Sequence, residues 1–258
     1  MSEMIYRPLI EDMTWSYSRI ECFNDCPYRW FMKYIKDMEE EPQFYASYGT
    51  FMHKLIEMFH TGEASSEELP ILFLSGFSES VKGARPKETI VQSYIEKGLE
   101  YLRNIDKYPF DTIAVEKKID FEIEGNRFTG IIDYIGEKDG DIYIVDNKSR
   151  DLKPRSNRKK PTQKDLELDE MLRQLYLYSE GIRQEYGKLP KKLIFNCFKA
   201  RTWIEEDFKQ DMYEEAIGWA LRTIERIKNT SKFYCDLDFF KCYYLCGLHD
   251  ECCYWEMR

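Results

Sequence analysis

The sequence predicts an α/β fold in which helices come first, a three-stranded meander follows, and helices and strands then alternate. Two patterns predict it. Apolar residues recur at helical spacing before residue 105 and again over 165–186 and 208–228. Between these regions, apolar runs with strand-like alternation are separated by Glu124-Gly125-Asn126 and by Asp139-Gly140, which are turn sequences. A chain of 258 residues can bury one substantial core, so we expect a single domain over residues 1–258.

The elements are expected in the following order. Ser16 or Ser18 caps a first helix that enters Ile20, and Pro27 begins a second that runs to Ile35. Three more helices form a helical elaboration over about 49–108; their ranges are 49–60, 66–80 and 87–105. A core over about 110–206 then contains strands at 113–124, 127–135, 141–148, 191–198 and 202–205 and a helix at 165–186. The last predicted helix covers 208–228.

Polar residues on two of these strands predict a metal site. Asp133 ends the segment Gly130-Ile-Ile-Asp133, and Asp146 and Lys148 follow in Ile144-Val-Asp146-Asn-Lys148. Strand side chains alternate, so Asp146 and Lys148 share a face, and the tight turn brings Asp133 towards them. Carboxylate oxygens are the ligands that Mg²⁺ and Mn²⁺ prefer. The pattern is typical of a site that hydrolyses phosphodiester bonds.

A basic segment follows directly, although the chain as a whole has a net charge of -9. Its basic residues are Lys148, Arg150, Lys153, Arg155, Arg158, Lys159, Lys160 and Lys164, and its one acidic residue is Asp151. We interpret the six residues from Arg150 to Lys160 as contacts for a DNA backbone, because they adjoin the predicted catalytic lysine. A solvated, mobile loop is the alternative.

Five ordered elements resemble the RecB-type branch of the PD-(D/E)XK nucleases. They are Gly49-Thr50-x-x-His53, Glu116, Gly130-x-x-Asp133, Asp146-x-Lys148 and Gln174-x-x-x-Tyr178. The resemblance covers nearly the whole chain. It implies a restriction-endonuclease-like core, which is a central mixed sheet flanked by helices.

The resemblance and the side-chain chemistry together assign roles. Asp133 and Asp146 are the expected ligands, and the resemblance adds His53, which favours Mn²⁺, and the backbone carbonyl of Asn147. Lys148 is expected to orient the attacking water and to offset charge on the phosphate. The resemblance further implies that an acid at Glu116 supports the metal site. It also implies that Gln174 and Tyr178, which lie one helical turn apart, reach towards the substrate. An exposed strand glutamate and ordinary packing residues are the respective alternatives.

The cysteines resemble those of iron-sulfur members of the same branch, including AddB and the CRISPR adaptation exonucleases. That resemblance implies a [4Fe-4S] cluster that joins Cys26 to the C-terminal segment 207–258; the expected ligands are Cys26, Cys242, Cys246 and Cys252. Three residues separate Cys242 from Cys246, where the family usually has two, so Cys253 and Cys235 are alternative ligands. Zinc and free thiols are the alternatives to the cluster.

The function expected from these features is a metal-dependent DNA exonuclease. It would act on single strands or ends through a metal-activated water, in phage or mobile-element replication, recombination or processing, with recombination or replication proteins as partners. A non-catalytic DNA-binding subunit and a CRISPR adaptation nuclease are the alternatives. The sequence lacks the roughly 20 apolar residues of a membrane span. We therefore expect no membrane association and a cytoplasmic location, in the host cytoplasm if the protein is viral.

Overall fold

A five-stranded sheet lies at the centre of the computed structural model, which describes residues 6–255. Its strands are β1 (Asp111–Ile123), β2 (Asn126–Lys138), β3 (Asp141–Asn147), β4 (Lys192–Cys197) and β5 (Thr202–Asp207). The helices before the sheet are α1 (Arg7–Glu11), α2 (Tyr17–Asp25), α3 (Pro27–Tyr34), α4 (Phe44–Thr61), α5 (Leu69–Ser80) and α6 (Glu88–Arg103). The later helices are α7 (Gln163–Tyr186), α8 (Gln210–Lys228) and α9 (Phe239–Tyr244).

The sheet is mixed, as expected. Its strands lie side by side in chain order, and β3 and β4 are parallel while every other neighbouring pair is antiparallel. A parallel pair needs a long crossover, and α7 supplies it between β3 and β4. The α/β fold with flanking helices is thereby confirmed.

The turn between β2 and β3 sets the register on which the polar residues depend. Asp139 and Gly140 both have positive φ, at 56° and 82°, as a two-residue type I′ hairpin turn requires. The resulting ladder pairs Tyr134 with Val145. The next position along therefore places Asp133 opposite Asp146, on adjacent strands.

Two apolar clusters support the sheet and the helical elaboration. The larger one packs α2, α3, α7 and α8 against the sheet and includes the fully buried Trp15, Trp30 and Phe128. The smaller one lies among α4, α5 and α6 around Tyr48. Phe198, at the end of β4, belongs to this second cluster and so joins the elaboration to the sheet.

Most predicted elements are present, with shifts at their ends. Ser16 caps α2 by accepting a hydrogen bond from the amide of Arg19. Helix α4 begins at Phe44 rather than Gly49, because the buried face of the helix continues through Phe44 and Tyr48. Helices α1 and α9 were not predicted. They contain 5 and 6 residues, too few for an apolar period to be recognised. Among the described residues, no helix combines the length and the apolar character needed to cross a bilayer.

His60, on α4, is a buried histidine without a polar partner. Its side chain packs 4.1 Å from the ring centroid of Tyr108, and neither ring nitrogen has a hydrogen-bond partner among the described residues. Burial, and then the charge of Lys107, lower the pKa of His60 to about 4. The folded protein therefore holds this imidazole neutral over a pH range in which the unfolded chain binds a proton.

We expect His60 to make stability fall as the pH is lowered from about 6.5 towards 4. In that range the unfolded chain takes up a proton that the folded state does not, which costs about 2 kcal/mol by pH 5. His60→Phe preserves the ring and removes the titration. Its melting temperature should therefore lose less between pH 7.5 and pH 5 than that of the wild type. Parallel pH profiles for the two proteins would contradict this account.

Candidate active site

Three side chains from three elements converge to form a candidate metal centre. They are His53 on α4, Glu116 on β1 and Asp133 on β2, and one ligand atom from each lies within 4.8 Å of the other two. Within residues 6–255, no other group of three His, Cys, Asp or Glu side chains brings its ligand atoms this close together. His53 Nδ1 lies 3.3 Å from Asp133 Oδ2. All three side chains are half-buried.

Glu116 reaches this position through an unusual backbone conformation. Its φ is +47°, which is left-handed and rare for a residue with a side chain, and it occurs in the middle of a strand. The ladder pairs Val115 with Tyr134 and Lys117 with Ile132. Glu116 lies between these two pairs, and its carboxylate lies close to that of Asp133. Such strain typically costs about 1–3 kcal/mol and persists where the surrounding structure enforces it.

Asp133 is held by the strand beside it. The backbone amide of Asn147 donates to Asp133 Oδ2 at 2.6 Å. The side chain of Asn147 faces the other way, and its Oδ1 accepts from the hydroxyl of Tyr108 at 2.7 Å and from Asn196 Nδ2 at 2.8 Å. Asn196 also donates to Tyr101 Oη at 2.7 Å. This buried network fixes the backbone of Asn147, whose carbonyl is a predicted ligand.

Lys148 is fixed between β3 and α7. Its Nζ donates to Asp146 Oδ1 at 3.1 Å and to Gln174 Oε1 at 2.9 Å. Gln174 Nε2 in turn donates to Tyr178 Oη at 3.4 Å. Asp146 and Lys148 therefore lie close together, as predicted. Gln174 and Tyr178 share one face of α7, also as predicted. Gln174 and Tyr178 contact the lysine, and their roles in catalysis stay predictions.

Gly130 leaves the space in which the Tyr178 ring lies. A β-carbon at Gly130 would lie 2.5 Å from Tyr178 Cε1, which is closer than atoms can pack. The glycine of the Gly130-x-x-Asp133 motif therefore allows α7 to approach β2. Through Tyr178 and Gln174, this approach determines where Lys148 lies.

The carboxylates of the site repel one another. Burial, and after it the charge of Asp133, raise the pKa of Glu116 to about 7. Burial also raises the pKa of Asp146, although the charge of Lys148 opposes that shift. For His53, burial would lower the pKa, but the hydrogen bond and the charge of Asp133 outweigh it and the pKa rises. Lys148 offsets only part of the negative charge that these carboxylates bring together.

These residues fit a divalent cation. Carboxylate oxygens with one imidazole nitrogen suit Mn²⁺ and Mg²⁺. Asp146 Oδ2 is buried and, although Lys148 Nζ lies 2.8 Å away, it receives no well-directed hydrogen bond from a described residue. A bound cation would offset the crowded negative charge. Glu116 lies closer to His53 and Asp133 than Asp146 does, so it becomes a candidate ligand as well as a supporting acid.

The basic segment has two distinct parts. Asp165, in the first turn of α7, accepts hydrogen bonds from the amide and hydroxyl of both Ser156 and Thr162. Arg155 is paired with two carboxylates, at 2.7 Å from Asp169 and 2.9 Å from Glu206. These contacts anchor the segment.

The remaining predicted DNA contacts are exposed, namely Arg150, Lys153, Arg158, Lys159 and Lys160. Binding of DNA by all six residues stays a prediction, and the charge of Arg155 is already compensated.

The cysteine segment approaches the N-terminal helices. Cys26, which caps α3, has its sulfur 3.8 Å from that of Cys235. Burial, followed by the charges of Cys26 and Cys252, raises the pKa of Cys235, so both of these thiols lie near Cys235. Cys246 lies near Cys26. Among the described residues, no three cysteine sulfurs lie within 4.8 Å of one another. Cys242 is buried.

Sequence reasoning missed the residues that support the site from behind. Tyr101, Tyr108 and Asn196 carry no motif, and they meet only because α6, β4 and the loop before β1 converge. A polar Asn196 within the apolar run of β4 was the one available signal.

Comparison with known proteins gave a family and a fold. The family profile described as the PD-(D/E)XK nuclease superfamily matches residues 14–253. A crystal structure from Eubacterium rectale, named "Putative exonuclease", superposes with a TM-score of 0.56 at 16% identity, over 93% of this chain and 91% of that chain. At that identity the likeness shows the fold alone. The structure of SSO0001 aligns over 97% of both chains at 15% identity, but with a TM-score of 0.32. A comparison with curated proteins gave no match.

Replacing Glu116 by glycine should stabilise the metal-free protein and weaken its response to metal. Glycine adopts φ near +47° without strain, so we expect a gain of about 1 kcal/mol, or about 2–4 °C in melting temperature. The same variant loses a candidate ligand, so the rise in melting temperature on adding Mn²⁺ should shrink or vanish.

Glu124→Gly is the matched control for this variant. Glu124 has φ of +46° in an exposed turn away from the site. It should gain similar stability and keep the full response to Mn²⁺. An undiminished Mn²⁺ response in Glu116→Gly would exclude Glu116 as a ligand.

Proposed function

The chain belongs to the PD-(D/E)XK nuclease superfamily, and from that premise we propose that it is a metal-dependent deoxyribonuclease that acts as an exonuclease on single strands or DNA ends. One observation carries the proposal. A group of three ligand side chains, His53, Glu116 and Asp133, lies beside a lysine that two further residues hold in place. The proposed setting is DNA replication, recombination or processing in a phage or mobile element, in the cytoplasm.

The roles of the residues follow from their contacts. A divalent cation held by His53, Asp133 and Asp146, with Glu116 and the carbonyl of Asn147 in reach, would make a water more acidic and offset negative charge on the phosphate. Lys148 keeps its ammonium group at the edge of this centre, where it can bind a phosphate oxygen and stabilise the charge that grows on it.

Gln174 holds Lys148 together with Asp146. Its side-chain oxygen accepts one of the three ammonium protons, so the lysine is shared between two acceptors. Tyr178, whose ring packs on Gly130, fixes the orientation of the Gln174 amide. Both are positioning residues. Substitution of either is therefore expected to lower turnover more than it lowers affinity for DNA.

A labelled-DNA digestion assay tests the proposed activity. With Mn²⁺ or Mg²⁺ the wild-type protein should degrade DNA, and Asp146→Ala or Lys148→Ala should reduce the rate at least about 100-fold, because each removes charge stabilisation in the transition state. Lys97→Ala, an exposed lysine on α6, is the control and should retain the wild-type rate. Strands labelled separately at each end give the polarity. Activity that survives both site substitutions sinks the proposal, while DNA binding without turnover in the wild type favours a non-catalytic subunit.

We also propose that the cysteine segment holds a [4Fe-4S] cluster. The chain offers several thiols in one partly buried place, where burial raises the pKa of Cys235 and of Cys246. Thiolates there need compensating positive charge, which a metal group provides. Cys26, Cys246 and Cys252 are proposed ligands, as the sequence indicates. The contact of Cys235 with Cys26 supports Cys235 over Cys242 as the fourth.

Paired serine substitutions distinguish the two candidates. After anaerobic purification, Cys235→Ser should contain less iron and labile sulfide per chain than Cys242→Ser, because the sulfur of Cys235 lies 3.8 Å from that of Cys26. If only Cys242→Ser loses iron and labile sulfide, Cys242 rather than Cys235 is the fourth ligand. Zinc without iron in the wild type would refute the cluster.

A further inference from the structure

Aromatic side chains from three helices form a continuous surface that the proposed chemistry does not use. We call it the aromatic ridge, and it consists of Tyr45 on α4, Tyr94 on α6, and Phe240 and Tyr244 on α9. Ring centroids of Tyr45 and Tyr94 are 5.7 Å apart, those of Tyr45 and Phe240 6.2 Å, and those of Phe240 and Tyr244 5.3 Å.

The ridge is partly exposed. Phe240 is 50% exposed, and Tyr45, Tyr94 and Tyr244 are half-buried. The adjoining rings of Phe239 and Tyr243 on α9, which stack on each other, are 58% and 38% exposed. Contiguous apolar surface of this kind usually marks a binding site.

The ridge is continuous with the candidate active site along α4. Tyr45 precedes His53 by two helical turns, and Gly49 lies between them on the same side of the helix. A β-carbon at Gly49 would meet only Ser149 Oγ, at 3.9 Å, so no bulky side chain covers the helix at Gly49. Ser149 directly follows the proposed catalytic lysine.

The charge next to the ridge is suited to phosphate. Lys199 Nζ lies 4.4 Å from the Tyr94 ring centroid and donates to its hydroxyl at 3.2 Å. Burial, and then the charge of Asp151, raise the pKa of Tyr94, so this tyrosine lies close to the start of the basic segment. Arg150 and Lys153 are exposed on either side of Asp151. Aromatic rings beside exposed cations are the combination that binds unpaired nucleotides.

We propose that the aromatic ridge stacks the unpaired bases of a single-stranded nucleic acid whose backbone follows α4 past Gly49 to the metal centre. This inference rests on the proposed nuclease function and assigns the residues that select single strands. Bases in a duplex are already stacked and paired, so their faces are not available to Tyr45 and Phe240. A protein partner would account for the exposed rings but not for the adjoining cations or the uncovered helix surface at Gly49.

Strand binding by ring-removing and ring-keeping variants tests the proposal. In an Asp146→Asn background, which prevents digestion, fluorescence anisotropy measures the affinity for a fluorescein-labelled thymidine oligonucleotide and for a blunt duplex. Tyr45→Leu and Phe240→Leu should each weaken single-strand binding about 5- to 100-fold. Tyr45→Phe and Phe240→Tyr keep the ring and should retain the parent affinity. Tyr186→Leu, a partly exposed tyrosine at the far end of α7, should do the same.

Three results would overturn the proposal, provided that melting temperatures show the variants to be folded. The first is unchanged single-strand affinity in the leucine variants, which would favour a protein partner as the ligand of the ridge. The second is an equal loss for the ring-keeping variants. The third is an equal loss of duplex binding.

A small substrate separates this proposal from the nuclease function itself. Thymidine 5′-monophosphate p-nitrophenyl ester is too short to reach the ridge from the metal centre, so leucine variants in the otherwise wild-type protein should hydrolyse it at the wild-type rate. If the wild type hydrolyses neither the ester nor DNA, the nuclease proposal fails, and the binding assay still decides whether the ridge holds a strand.

Discussion

The enforced proximity of two carboxylates, Asp133 and Asp146, is the constraint on which the rest of the site depends. The β2–β3 hairpin places them on adjacent strands at the same level, within a partly buried region where like charges repel strongly. Each neighbouring group offsets part of that repulsion. The Asn147 amide and His53 contact Asp133, while Lys148 contacts Asp146. A divalent cation bound between them would offset the repulsion that remains.

The sequence predicted the frame of the molecule well because the frame depends on local patterns. Asp139-Gly140 specified a hairpin, and alternating apolar residues specified the strands. Motifs on regular elements also account for the proximity of His53 to Asp133 and of Lys148 to Asp146, while the roles of these residues stay predictions.

What could not be predicted depends on contacts between distant segments. The left-handed backbone of Glu116 contradicts its residue type, and only the surrounding sheet imposes it. In the sequence, Arg155 cannot be distinguished from its basic neighbours. In the structure it forms ion pairs with Asp169 on α7 and Glu206 on β5. The grouping of Cys235 with Cys26 depends on the irregular chain path after α8, for which the sequence has no periodic signal.

Helix α7 is a single support shared by two parts of the site. Its 24 residues span about 36 Å, with the anchored basic segment tied to Asp165 at one end and Gln174 contacting Lys148 near the middle. The place of the basic segment and the place of the lysine ammonium group therefore both depend on one uninterrupted helix.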